Sequence, residues 1–314
     1  MATAIRLESD SLGTILVATD FSETASLALD RAIEIAVHHE SEIALVHVMQ
    51  PDVPPLAAPE MIVIPPNFED MLREACNEGL TKAASRARDA GVRVSQYLEQ
   101  GRAARRITAC ANAVAADLIM IGTRGNTGFK RLLLGSVAEE VVRIANQPVL
   151  TVHPGDDRPI EPVRKLLFPT DFSPAADQAL AAANLILAGS EDAEIILVHT
   201  YHIALNVVPL GGFGKGGSEL LVANAHQLAT QATEPSAEAL RARGFRVEVV
   251  VERGDPAEIV TELAAERDVD VIVMGTRGHS KLRQLLLGST AERIVEHAPC
   301  PVLTVHRRES GPES

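Results

Sequence analysis

The second half of this chain is a variant of the first, and that repeat limits the fold more than any other feature. Ala18-Thr19-Asp20-Phe21-Ser22 returns as Pro169-Thr170-Asp171-Phe172-Ser173. Leu118–His153 aligns without a gap on Val271–His306, with about twenty of thirty-six positions identical, including GTRG, LLLGS and PVLTVH. Each copy is domain-sized, so the 314 residues divide into two domains rather than a short-period solenoid. The expected domains are residues 1–155 and 160–314, separated by the Pro-, Gly- and Asp-rich stretch Pro154–Pro162.

Within each copy, strand and helix patterns alternate. Thr14–Ala18 and Lys165–Pro169 are the expected first strands, Glu42–Val48 and Glu194–Thr200 the second. Val92–Leu98 and Phe245–Val251 are third, each after a helix ending near Gly91 or Gly244. The fourth strands, Asp117–Ile121 and Asp270–Met274, are almost wholly apolar, as strands covered on both faces must be. Val149–His153 and Val302–His306 complete the pattern. Five strands and four helices per copy predict an α/β fold: two repeated open, mostly parallel five-stranded sheets with helices on both faces. Asp255-Pro256-Ala257-Glu258 predicts a capped helix start, whereas Arg102-Ala103-Ala104-Arg105 sets cations at the positive helix end. That first-copy start is expected to be weaker, or its arginines to have another partner.

Open parallel sheets bind ligands beyond the carboxyl ends of their strands. Two turns in each copy suit such a place. One follows strand one and carries Asp20 or Asp171. The other follows strand four: Gly122-Thr123-Arg124-Gly125, nine residues, then Gly135-Ser136, and in copy two Gly275-Thr276-Arg277-Gly278, nine residues, then Gly288-Ser289-Thr290. Glycine lets backbone N–H groups approach an anion, and the helix starts near Val137 and Thr290 supply unbonded donors for a phosphate chain. An aspartate would repel phosphates, so Asp20 and Asp171 are expected to face the sugar or base end of a nucleotide.

The spacing G-x2-G-x9-G-S, present twice, together with the TDFS segments, resembles the universal stress protein family. The likeness covers nearly the whole chain, except the loops after the second strands. It implies a Rossmann-like sheet of strand order 3-2-1-4-5 and ATP, with Mg²⁺ bound through its phosphates, at two sites. The family's adenine and ribose contacts carry over to Ala18, Thr19, Asp20 and Val48, and to Pro169, Thr170, Asp171 and Thr200. Its phosphate contacts carry over to Gly122, Arg124, Gly125, Gly135, Ser136 and Val137, and to Gly275, Arg277, Gly278, Gly288, Ser289 and Thr290. Ala18 and Thr200 depart from the family's usual Pro and Val. The resemblance also implies a pseudo-dimer of the two domains through their last strands, with a homodimer of whole chains as a further option.

A nucleotide-dependent stress-response regulator is the leading functional expectation. A slow ATPase or phosphotransferase, and an interaction scaffold holding another small ligand, stand beside it. The net charge of −13 disfavours broad nucleic-acid or anionic-membrane binding. There is no apolar run of membrane-spanning length and no secretory signal pattern, so a cytoplasmic protein with a still unknown protein partner is expected. Cys76, Cys110 and Cys300 form no CxxC pair and read as buried small hydrophobes. No zinc-type spacing of His and Cys appears, and the expected metal ligands are none. His38-His39 read as a helix C-terminal pair and His47 and His199 as strand ends. Gly211–Gly217 fails as a Walker loop, because Pro209 and Gly216 stand where Gly and Ser/Thr are required, and reads as a mobile loop.

Overall fold

In the computed structural model the described residues are 12–50, 67–125, 134–156, 158–187, 190, 192–202, 215–276 and 287–306, with the side chains of 215–220 excluded. They form two compact units that divide between Glu161 and Pro162.

The first unit runs β1 (Thr14–Ala18), α1 (Glu23–His39), β2 (Glu42–Met49), α2 (Phe68–Asp89), β3 (Val94–Gln100), α3 (Ala103–Ala113), β4 (Leu118–Gly122), α4 (Ser136–Ile144) and β5 (Val149–Val152). Its strands pair in parallel in the order β3-β2-β1-β4-β5. The order reverses direction at β1 and β4, so the turns leaving these two strands lie side by side. The core follows from composition: Ile15, Leu16, Leu118, Ile119 and Met120 are fully buried between the helix layers.

The second unit repeats this with β6 (Lys165–Pro169), α5 (Pro174–Ala182), α6 (Asn184–Leu187), β7 (Glu194–Tyr201), α7 (Lys215–Ala242), β8 (Arg246–Arg253), α8 (Pro256–Glu266), β9 (Val271–Gly275), α9 (Ser289–His297) and β10 (Val302–Val305). The pairs β7–β8, β6–β7, β6–β9 and β9–β10 are all parallel, giving the same order. Four helices were expected here; the first is interrupted at Ala183, which yields a fifth short one. Lys215, Gly216 and Gly217, expected in a loop, belong to α7 instead, while 211–214 lie outside the described residues. Pro235 sits inside α7, where its missing N–H removes one helix hydrogen bond. Gly91 and Gly244 end their helices at φ 83° and 95°, the left-handed conformation that makes glycine the residue of choice there.

One device anchors each first strand. The Asp117 carboxylate accepts the N–H groups of Gly13 and Thr14, both at 2.9 Å. Asp270 does the same for Arg164 and Lys165, both at 2.8 Å. The residue opening strand four thereby satisfies donors at the entrance of strand one, which would otherwise lack partners.

Candidate functional site

The turn after β1 is held by side chains on its own backbone. Thr19 Oγ1 accepts the Phe21 N–H at 3.0 Å, and Asp20 Oδ1 accepts the Ser22 N–H at 3.0 Å. Ser22 then caps α1 by accepting the Ala25 N–H at 3.2 Å. This folding forces Phe21 to φ 64°, a region that a bulky residue rarely enters. Its ring stacks on His47 from β2, with centroids 4.5 Å apart, and His47 Nδ1 donates to the Thr19 carbonyl at 2.8 Å. Sequence reasoning placed His47 only as a strand end; its role as a brace depends on the β1–β2 pairing and leaves no local signal.

The turn after β4 closes against the first. The Ser22 hydroxyl donates to the Arg124 carbonyl at 3.5 Å. A Cβ on Gly125 would lie 2.4 Å from Asp20 Oδ2, so a larger residue there would make the carboxylate shift. A Cβ on Gly122 would lie 2.9 Å from the Thr24 backbone, and one on Gly275 2.8 Å from the Ala175 backbone. Packing of the first helix against the fourth strand therefore accounts for the opening glycine of each motif. Gly135 donates its N–H to the Thr123 carbonyl at 2.7 Å, and Gly288 to that of Thr276 at 3.0 Å. These two glycines fasten the loop to the helix start, and the donors left over belong to the following residues.

Those residues begin α4 and α9. Neither helix has a side-chain cap: Gly135 and Gly288 hold the N-cap positions and have nothing to offer. By contrast, α1, α5 and α8 are capped by Ser22, Ser173 and Asp255. The first N–H groups of α4 and α9 thus keep their hydrogen-bonding capacity and the positive end of the helix dipole.

In the first unit these parts enclose a cavity of about 430 Å³. All ten first-copy positions named from the sequence line it: Ala18, Thr19, Asp20, Val48, Gly122, Arg124, Gly125, Gly135, Ser136 and Val137. Among the lining residues that sequence reasoning missed are His47, Met49 and Gln50 at the end of β2, Leu72 and Cys76 from α2, and Ile107 from α3. Leu72, Cys76 and Ile107 add apolar surface to a cavity that also holds the polar start of α4. Arg105 and Arg106 do not line it; Arg106 instead faces Glu99 at 3.9 Å.

The second unit repeats three hydrogen bonds of this turn. Phe172 N–H donates to Thr170 Oγ1 at 3.1 Å, Ser173 N–H to Asp171 Oδ1 at 3.0 Å, and His199 Nδ1 to the Thr170 carbonyl at 2.9 Å. Phe172 has φ 60° and its ring centroid lies 4.5 Å from that of His199. Pro169 and Gly275 end β6 and β9, Thr200 lies near the end of β7, and Gly288, Ser289 and Thr290 open α9. Arg277 and Gly278 lie outside the described residues.

Each unit is therefore a doubly wound α/β domain whose strand order reverses between its two central strands. Sequence comparison assigns this architecture to a family. The universal stress protein family model matches residues 12–153 and again 162–306. The chain belongs to that family and carries two of its domains in tandem. A universal stress protein of Mycolicibacterium smegmatis is 27% identical over 297 residues, 94% of this chain and 97% of its own length. Universal stress protein MJ0531 of Methanocaldococcus jannaschii is 36% identical over 138 residues, 44% of this chain and 80% of its own. A universal stress protein of Archaeoglobus fulgidus shares the fold with a TM-score of 0.67 at 23% identity, covering 96% of this chain and 98% of the other. No helix among the described residues is long and apolar enough to cross a membrane.

Proposed function

We propose that each domain binds ATP across its two central turns, and that nucleotide occupancy regulates a stress response through a protein partner. The observation that carries this reading is the uncapped start of α4 on the wall of a cavity lined by all ten expected residues. An anion there supplies what a capping side chain supplies elsewhere: acceptors for the first N–H groups and negative charge at the positive helix end. The triphosphate lies along Gly125, Ser136 and Val137, and the base and ribose along Ala18, Val48 and the apolar side formed by Leu72 and Ile107. In the second domain, Pro169, Thr170, Asp171 and Thr200 take the nucleoside, and Gly275, Arg277, Gly278, Gly288, Ser289 and Thr290 take the phosphates. Mg²⁺ arrives with the phosphates, since it keeps much of its water and needs few protein ligands.

Ser136→Asp and Ser289→Asp test this selectively. Aspartate in the first helical turn is compatible with the helix, so folding is preserved, but it sets a carboxylate where the phosphates lie. Nucleotide released by denaturing the purified protein, or bound in an ATP titration, should be near two per chain. It should fall to one in either variant and to none in the double variant. Failure of the wild-type chain to bind added ATP overturns the proposal, as does unchanged binding in the double variant. Phosphate release by the loaded wild type separates a slow ATPase from a binding regulator.

A further inference from the structure

The first domain holds a cluster on the far side of α1 from its capped start, unrelated to the nucleotide cavity. Helix α1 ends in His38 and His39, whose rings meet edge to face with centroids 4.9 Å apart. The chain leaving this domain is fastened to the same helix: the Ile160 N–H donates to Glu34 Oε2 at 3.0 Å, and Ile160 is 2% exposed. Glu34 is itself held by Arg31, whose Nη1 donates to both carboxylate oxygens at 2.6 and 2.8 Å. This fastening brings the next residue, Glu161, to His39, with Oε1 3.8 Å from Nε2. Both side chains are only 6% exposed.

That arrangement is costly as it stands. Among the described residues, neither carboxylate oxygen of Glu161 has a hydrogen-bond partner, and neither does His39 Nε2. A separation of 3.8 Å is too long for a hydrogen bond, and a buried carboxylate without one is strongly disfavoured. Yet one ligand atom from each of His38, His39 and Glu161 lies within 4.8 Å of the other two. An ion bound at 2.0–2.1 Å in tetrahedral geometry spaces its ligands about 3.3 Å apart, so small side-chain shifts close the set.

We propose that His38, His39 and Glu161 form a binding site for a divalent transition-metal ion of the zinc class. Two imidazoles and one carboxylate suit zinc, whereas Mg²⁺ and Ca²⁺ prefer all-oxygen surroundings. Three protein ligands leave a fourth position for water. The ion neutralises Glu161 and ties the chain leaving the first domain to the end of α1. Only the first domain carries the set, because the corresponding end of the first helix in copy two reads Leu187-Ala188-Gly189-Ser190.

The test is a titration of chelator-treated, nucleotide-free full-length chain with Zn²⁺, and separately with Co²⁺. One equivalent should bind, and the Co²⁺ complex should show tetrahedral d–d absorption without a thiolate charge-transfer band, which separates this site from the three cysteines. Glu161→Gln and His38→Ala should each abolish stoichiometric binding and the rise in melting temperature on adding Zn²⁺. His38 is on the exposed side, so His38→Ala tests the site in a chain that folds normally. Absence of wild-type binding means that His39 and Glu161 are simply an ion pair and overturns the proposal. A full equivalent retained in either variant, or a thiolate band, does so too.

Discussion

The two domains agree at the sheet's carboxyl edge and differ away from it. The turns after β1 and β6 share two side-chain-to-backbone hydrogen bonds, the left-handed phenylalanine and the histidine brace. Helices α4 and α9 share an uncapped glycine start. Elsewhere the copies diverge. Helix α1 is continuous over 17 residues, while its counterpart breaks at Ala183. Helix α8 is capped by Asp255, which accepts the Ala257 and Glu258 N–H groups at 3.0 and 3.1 Å, while α3 begins at Arg102 with no cap. The lesson is that helix starts on the periphery tolerate different solutions, while those facing the central crevice keep one.

Substitutions at the glycines that admit the first helix should disturb this comparison most. Gly122→Ala and Gly275→Ala should each destabilise their own domain by about 1–3 kcal/mol, since the new Cβ meets backbone that cannot rotate away. Urea unfolding of the single and double variants checks this, and equal losses would extend the symmetry of the two domains to their packing. Asp117→Ala and Asp270→Ala should come next, at about 1 kcal/mol each by the same measurement. A loss in one domain alone would show that the strand anchor is redundant in the other.

The capping difference can be exchanged. Asp255→Ala should cost about 1 kcal/mol, and Arg102→Asp should gain a similar amount by giving α3 the cap it lacks. Asp255 also hydrogen-bonds Arg293 at 2.7 Å, and this contact, with the N–H bonds of the helix start, holds its carboxyl below the usual carboxylate range. A lowered folded value means that the contribution is complete above the ordinary carboxylate range and is lost as pH falls through the lowered value. The acid limb of the second domain's unfolding should therefore flatten slightly in Asp255→Ala; an unchanged limb would assign acid sensitivity elsewhere. The group is exposed, so the effect is small.

The smallest effect concerns Cys110, which holds in α3 the place of Leu263 in α8, each 6% exposed. Burial, with the Glu99 carboxylate adding to it, pushes the thiol up to about 11. Alkylation in the folded protein at neutral pH should be slow and become rapid in denaturant, since the thiolate is the reactive form. Rapid reaction in the folded state would show that α3, without a cap, opens where α8 does not.

Much of the fold was legible because its signals are local. The strand limits Thr14–Ala18 and Lys165–Pro169 coincide with those read from apolar runs, and Gly91 and Gly244 mark helix ends through their own backbone. The strand order needed the family resemblance, since pairing is a long-range property. The first-copy site positions meet at one cavity, but the physical basis of the motif was only half visible. Gly122 suggests only close approach of a ligand in the sequence, and the structure adds a packing requirement against α1 that the sequence does not show. His47 and Glu161 carry no local mark at all: one acts through the neighbouring strand, the other through a helix far back in the chain.

Phe21 and Phe172 have one more consequence. Each turn that bears them is already held by two side-chain-to-backbone hydrogen bonds and a phenylalanine ring against a histidine before anything occupies the crevice. Ordering a free backbone residue costs about 1–2 kcal/mol of entropy, and here that loss occurs during folding. A molecule arriving at either of these turns meets a segment whose shape is already set, so its affinity is not diminished by organising that turn.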